Sequence, residues 1–381
     1  MDLHERTAGQ WWKIQDNYVT VRLDSIRKLL LPAYQELGMT PENARFYMDM
    51  WLDKAIQGDH SRGFARILSF VQAVRDKRMD VNPRINILRE TDNFALVDGS
   101  ERAAAPIVSK AAMDIAIQKA KKGGIAFAGS RAQSQILTAH LKQAIKADMI
   151  GIILTQSFPT VAPFGGAGPL FGNAPVGVAV PAGKYDPVIF DASLTNSSAS
   201  GMFLAARQKE QVPPQMLLDP KGFPTTDATE FPMKDGYMDP TYGPDAGGSL
   251  TALGDNHKGY GLVFLTGLLS SVLTDTSPPW ELYYRVNKER KNLYGSVYIV
   301  IDPRVVMPLD KFKGLVDAFL ERTITHPRRE GVKEILYPGQ KSQRLKRERE
   351  QAGIIAIPES HYKGLCDVAD LFNMPHPQLT A

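Results

Sequence analysis

A single cysteine, Cys366, stands in 381 residues, which excludes an intrachain disulfide and fits a reducing compartment. No uncharged apolar run is long enough for a membrane span. The opening stretch, Met1 to Asp16, mixes charges with Trp11 and Trp12 and lacks the apolar core of a signal peptide, so a cytoplasmic protein is expected. The formal net charge of +4 is too small to argue for nucleic acid. No Gly-x-Gly-x-x-Gly follows a strand-like run and no phosphate-loop motif occurs, so the common dinucleotide fingerprints are missing. Internal repeats are also absent.

What is present is an alternation of helical and strand-like patterns. Leu23 to Leu37 reads as a helix stopped by Gly38. Thr40 caps a second helix with Pro41 at its first position and an apolar stripe of Ala44, Met48, Trp51, Leu52 and Ala55. Short strands are expected around Ile85–Ile87, Phe94–Val97, Ile125–Ala128, Met149–Leu154, Val176–Val180, Val188–Phe190 and Leu293–Ile301. Helices are expected at about Ala104–Lys121, around Ile136–Ile145, and at Leu309–Arg322. The basic run 341–351 reads as a solvated helix face. This pattern predicts a mixed α/β protein. The length suits two or three lobes, roughly residues 1–120, 121–275 and 276–381, with the lobes discontinuous in sequence.

Two stretches carry chemistry. In Leu253-Gly254-Asp255-Asn256-His257-Lys258-Gly259-Tyr260-Gly261-Leu262, polar and cationic side chains precede an uncharged run to Leu273 that is long enough for a buried helix. Its start is expected deep in the protein, with His257 and Lys258 beside free helix N–H groups, a combination that suits a phosphate or carboxylate. A buried helix with a solvated polar entry accounts for the same pattern. In Gly58-Asp59-His60-Ser61-Arg62-Gly63-Phe64-Ala65-Arg66, polar residues lie between two glycines just after a helix end, where a loop held by helices often carries chemistry. On the pattern alone a solvated helix–helix connection is the favoured reading.

The wording His257-Lys258-Gly259-Tyr260-Gly261-Leu262 resembles the type-2 malate/L-lactate dehydrogenase family, which includes sulfolactate and ureidoglycolate dehydrogenases and cyclic-imine carboxylate reductases. The likeness runs from about Val21 to Leu371. It takes in Ala162-Pro163-Phe164-Gly165-Gly166, Leu218-Asp219 with Gly222 and Thr225-Thr226-Asp227, and Tyr337-Pro338-Gly339 followed by Arg349 and Gly353-Ile354. It implies a non-Rossmann fold with a mixed, largely antiparallel sheet, NAD or NADP as cofactor, a small carboxylic-acid substrate, and a homodimer with the active site near the subunit interface. Carried over by position, the cofactor groove would use Ser157, Asp191, Ala192, Ser193, His257, Lys258 and the turn Pro338-Gly339-Gln340. Asp191 could equally cap a helix.

The loop departs from the family's Ser-His-Gly, whose histidine is the general acid/base: here it reads Ser61-Arg62-Gly63. Arginine does not exchange its proton near neutral pH. His60 is expected to take over the proton transfer, as the residue there that titrates without a large shift. Arg62 could instead polarise the reacting oxygen while water supplies the proton. Arg66 matches the carboxylate-binding arginine. Gln133 falls near a second histidine of the family, and Asp191, at a strand end, can accept from sugar hydroxyls or orient a catalytic group. The expected activity is hydride transfer between nicotinamide and a 2-oxo/2-hydroxy or 2-imino/amino acid. The alternative is a member that binds cofactor or metabolite without redox turnover.

Overall fold

In residues 23–36, Leu23, Ile26, Leu29, Leu30, Ala33 and Tyr34 recur at three- and four-residue steps, and all six are buried on a helix. The computed structural model describes residues 16–60, 62–99, 102–234, 237–238, 247–282 and 294–380. Along the chain run β1 (Tyr18–Arg22), α1 (Leu23–Glu36), α2 (Pro41–Ile56), α3 (Ile67–Arg75), β2 (Asn86–Glu90), β3 (Phe94–Asp98), α4 (Ala105–Gly123), β4 (Ile125–Ser130) and α5 (Leu137–Lys146). Then come β5 (Ile150–Thr155), β6 (Pro159–Val161), β7 (Phe171–Gly172), β8 (Val176–Val180), β9 (Val188–Ala192), α6 (Ala199–Gln208), β10 (Leu217–Leu218) and β11 (Pro224–Thr225). The chain continues through β12 (Met233–Lys234), β13 (Tyr237–Met238), β14 (Ser249–Leu250), α7 (His257–Val272), β15 (Ser296–Ile301), α8 (Leu309–Ile324), α9 (Gln340–Ala352), β16 (Ile354–Pro358) and α10 (Glu359–Leu371). Leu293, expected to open a strand, lies outside the described residues; β15 begins at Ser296.

Two units form, each discontinuous in sequence: Asn86–Asp98 with Val108–Tyr337, and residues 16–85 with 102–107 and 338–380. The first is built on a seven-stranded sheet in the order β2-β3-β4-β15-β5-β8-β9. Its neighbours pair antiparallel except β3 and β4, which are parallel. The architecture is thus mixed α/β with a largely antiparallel sheet, unlike the parallel doubly wound dinucleotide fold. Strand β15, Ser-Val-Tyr-Ile-Val-Ile, is buried almost throughout because it lies inside the sheet with β-branched side chains on both faces. Helix α5 packs on β5, β8 and β9 through Leu137, Leu141 and Ala144. A smaller sheet, β11-β10-β14-β6-β7, shares a core of Val161, Phe171, Leu217, Phe231, Leu250 and Val263 with α6.

Helix α7 corrects an expectation. The uncharged run was expected to be buried, but Leu262, Leu265, Leu268, Leu269 and Val272 are exposed, Val272 by 65%. The face turned into the unit consists of Val263, Thr266, Gly267, Ser270 and Ser271. Hydroxyls can be buried here because each finds an acceptor: Ser270 Oγ donates to the Thr266 carbonyl at 2.6 Å, and Ser271 Oγ to the Gly267 carbonyl at 2.7 Å and to Gln156 Oε1 at 2.8 Å. Small residues allow close approach; the leucines stay outside.

In the second unit, β1 and β16 pair antiparallel from Tyr18↔Pro358 to Arg22↔Ile354. The core stacks Tyr47 on Phe70 with ring centres 4.8 Å apart, and Tyr34 meets Phe70 edge-on. Thr40 caps α2, its hydroxyl accepting from the Asn43 amide. Helix α9 is not wholly a solvated basic face. Lys346 pairs with Asp53 at 2.6 Å, and the Arg349 guanidinium donates to the carbonyls of Ala55 and Ile56, capping the end of α2.

Candidate active site

Within the first unit, register brings scattered residues to one end of the large sheet. Ser130, Ser296 and Thr155 stand side by side across β4, β15 and β5. One step on, Leu154, Val176 and Ala192 align across β5, β8 and β9. The segments leaving that end carry Gln133, Ser157, Asn173 and Asp191-Ala192-Ser193. The loop holding Gln133 is pinned on either side, because Ser296 Oγ accepts from the Ser134 amide at 3.0 Å and donates to the Ala132 carbonyl at 2.7 Å. Gln133 is half-buried between these anchors and makes no side-chain hydrogen bond among the described residues. Arg131 beside it is tied to Asp275 and to the Thr274 carbonyl.

Ser157 is buried and its hydroxyl donates to Asn173 Oδ1. The strand opposite must be glycine, since a Cβ at Gly172 would lie 2.2 Å from the Ser157 carbonyl oxygen. Asp191 has one carboxylate oxygen committed to Thr138, accepting from its amide at 3.0 Å and from its hydroxyl at 2.6 Å. Asp191 thus anchors the first turn of α5 from the neighbouring strand, while the N-cap positions of α5 and α6 are Ile136 and Ser198. Ala192 and Ser193 follow, half-buried, with Ser193 Oγ accepting from Thr195 Oγ1 at 3.1 Å.

His257 and Lys258 stand elsewhere in the unit. Ser271, near the far end of α7, bonds Gln156, and fourteen residues separate it from His257, about 21 Å at a rise of 1.5 Å per residue. Two expectations for this helix start fail. It is not deep, as His257 and Lys258 are both exposed. Its amides are not free either: Asn256 Oδ1 accepts from the Lys258 amide at 2.9 Å and the Gly259 amide at 3.2 Å. Asn256 is an ordinary N-cap residue directly before the helix, a signal the sequence offered and the reading passed over. An anion here would meet the Lys258 ammonium and the His257 ring rather than helix N–H groups.

The second unit holds the remaining candidates. Ser61 lies outside the described residues. Asp59 turns the loop, its carbonyl accepting from the amides of Arg62 and Gly63. Arg62 is half-buried and Arg66 is exposed at the end of a single 3-10 turn. Gly339, at φ +89°, opens α9 with Gln340 as its first residue.

His60 overturns the expectation that it titrates near neutrality. It is only 8% exposed, its ring edge-on to Tyr18 at 5.5 Å and to His361 at 6.3 Å. Burial, aided by the neighbouring His361 and Arg349, pushes its pKa down to about 4. His361 is likewise pushed to about 4 by burial, and neither Nδ1 has a hydrogen-bond partner. At neutral pH His60 is an uncharged packing residue, which removes it as a general acid.

Comparison with known proteins bears on the family and the fold. The malate/L-lactate dehydrogenase family pattern matches residues 21–366. The malate/(S)-sulfolactate dehydrogenase of Methanothermus fervidus is 28% identical over 350 residues, covering 91% of this chain and 96% of that protein. The L-sulfolactate dehydrogenase of Methanocaldococcus jannaschii is 30% identical over 348 residues, 90% of this chain and 94% of that one. Among solved structures, malate dehydrogenase from Entamoeba histolytica has the same fold, with a TM-score of 0.83 at 21% identity over 95% of this chain and 100% of that one. With sequence pattern, relatives and fold each spanning nine-tenths of its length, this chain belongs to the malate/L-lactate dehydrogenase family.

Proposed function

We propose that the protein is an oxidoreductase that transfers hydride between NAD or NADP and a small acid. The observation that carries this reading is the delivery of Gln133, Ser157 and the Asp191–Ser193 run to one end of the central sheet. The groups there are amide, hydroxyl and carboxylate, donors and acceptors suited to a ribose and a carboxamide. Lys258 and His257 supply positive and polar character for a phosphate. Gly339 and Gln340 are the further cofactor candidates. When bound, the nicotinamide supplies or takes the hydride.

Arg66, exposed and forked, is proposed to hold the substrate carboxylate in two parallel hydrogen bonds. Relatives are named for malate and sulfolactate, both 2-hydroxy acids with a second acidic group. Two arginines in one short loop suit such a dianion, so 2-oxo and 2-hydroxy diacids are the leading substrate class, with 2-imino acids next. Because His60 is neutral and packed, Arg62 is proposed to polarise the reacting oxygen and solvent to supply the proton. The single cysteine fits work in the cytoplasm, and among the described residues no helix is long and apolar enough to cross a membrane.

A screen of 2-oxo and 2-imino acids against NADH and NADPH, followed at the nicotinamide absorbance, tests the reading. Lys258→Ala is expected to weaken cofactor binding by about 1.5–3 kcal/mol, the worth of a charge-assisted contact, measured by calorimetry. A wild-type protein that binds neither cofactor rejects the proposal. One that binds cofactor but reduces nothing would leave binding without redox turnover as the better reading.

The protein is also proposed to work as a homodimer, with the leucine face of α7 against its equivalent in the partner. An exposed row of Leu262, Leu265, Leu268 and Leu269 on a helix is the kind of apolar patch that marks an interface. Leu265→Glu is expected to convert a dimer to monomers in sedimentation velocity. A wild-type monomer at micromolar concentration would overturn this part.

A further inference from the structure

One cavity in the first unit is used by none of these residues. It measures about 390 Å³ and is walled by Pro163–Ala167, Lys221–Pro224, Leu250–Ala252 and the approach to α7. That volume suits a small-molecule site. Two tight turns meet at its rim. The first closes with the Gly166 amide donating to the Pro163 carbonyl at 2.9 Å. The second is braced by Asp219, whose Oδ1 accepts from the amides of Lys221 at 2.8 Å and Phe223 at 2.9 Å. They touch through glycine: at Gly222, φ +87°, a Cβ would stand 3.0 Å from the Gly166 carbonyl oxygen. Each turn lifts an aromatic ring beside the cavity, with Phe164 57% and Phe223 65% exposed.

Two opposite charges line the same cavity. Lys221 has no ion-pair partner among the described residues, and neither does Asp255. Asp255 stands at φ +47°, a left-handed turn position that aspartate adopts readily, with its amide donating to the Ala252 carbonyl at 2.9 Å. It lies one residue outside the α7 cap, which Asn256 supplies, and its side chain lines the cavity.

We propose that this cavity is a second binding site, for a zwitterionic small molecule of the α-amino-acid class with a flat, apolar side chain. Lys221 meets its carboxylate, Asp255 its ammonium group, and Phe164 and Phe223 flank the side chain. None of the residues assigned to hydride transfer lines the cavity, but Phe164 meets the His257 ring edge-on at 6.4 Å, so competition with NADH is part of the test.

Calorimetric titration with L-phenylalanine tests it, with 3-phenylpropanoate and phenethylamine as analogues that each lack one charge. Saturable binding with a Kd of order 1 mM or tighter is expected for L-phenylalanine. Each analogue should bind about tenfold more weakly or worse. Lys221→Met should lose the same factor, as should Asp255→Asn, since asparagine tolerates the left-handed backbone and removes only the charge. NADH should not compete. Equal affinity for all three compounds, or no saturable binding to the wild type, overturns the proposal. Displacement by NADH also overturns it, by making the cavity part of the cofactor groove.

Discussion

Acidification from pH 6.5 to pH 4 is expected to remove most of the protein's folding stability. Three buried histidines set that window. His60, His361 and His140 each have their pKa pushed from 6.5 to about 4, in every case chiefly by burial. His140 is wholly buried beside Tyr298 and holds Gln143 Oε1 through Nδ1. The unfolded chain takes up a proton at each imidazole near pH 6.5, while the folded chain resists until about pH 4. Between those values the unfolded state binds more protons, so stability falls as pH falls. The full contribution is present above pH 6.5. Each group can cost up to about 3 kcal/mol, and His60 and His361, being close, share part of that loss. A total stability of about 5–15 kcal/mol leaves little in reserve. Carboxylates do not explain this window: Asp16, Asp302 and Asp317 have their pKa values lowered from 3.8, so their contribution is lost at still lower pH. Urea unfolding at a series of pH values should show the decline, and His140→Gln should flatten its slope by about a third. Stability that is level from pH 6.5 to 4.5 would contradict the burial of these rings.

The second large effect separates two glycines two places apart in α7. A Cβ at Gly259 would lie 1.8 Å from the Leu253 carbonyl oxygen, with backbone rather than a flexible side chain in the way. Gly259→Ala must therefore push the Leu253–Asp255 turn off the helix and break the Asn256 cap. A loss of about 4 kcal/mol or more is expected. At Gly261 a Cβ meets nothing within 4 Å. There alanine relieves the entropic penalty of a helical glycine, and Gly261→Ala should stabilise by about 0.5–1 kcal/mol. Thermal melts of the two variants should move in opposite directions. Similar shifts would mean that the turn before α7 is softer than its close packing implies.

Where structure follows from neighbours in sequence, the sequence was easy to read. Thr40-Pro41 and the stripe from Ala44 to Ala55 specify α2 and its cap, and the alternation in Val176–Val180 specifies a strand. Features that failed depend on distant partners or on symmetry. In the run from Gly259 to Leu273 both faces are uncharged, so the pattern could not say that Ser270 and Ser271 turn inward and the leucines outward. His60 looked titratable in its loop. Its burial comes from Tyr18 on β1 and His361 on α10, which no local rule places beside it. Of the candidate site, the resemblance selected Ser157 and Asp191, and the sheet register brings their segments to one end. Thr138, which engages Asp191, had no pattern of its own.

The pairing of β1 with β16 also sets the order in which the protein can be completed during synthesis. Val21 lies opposite Ile355, roughly 330 residues later. At about 5–20 residues per second, a ribosome needs on the order of 15–70 s to travel that far. Helices α1 to α3 emerge early with apolar faces such as Ile26, Leu30 and Phe70, whose covering elements include α10. Through that interval these faces must be shielded by transient contacts or by chaperones. Helices α1 to α3 thus belong to a unit that closes only after every strand of the large sheet has been made.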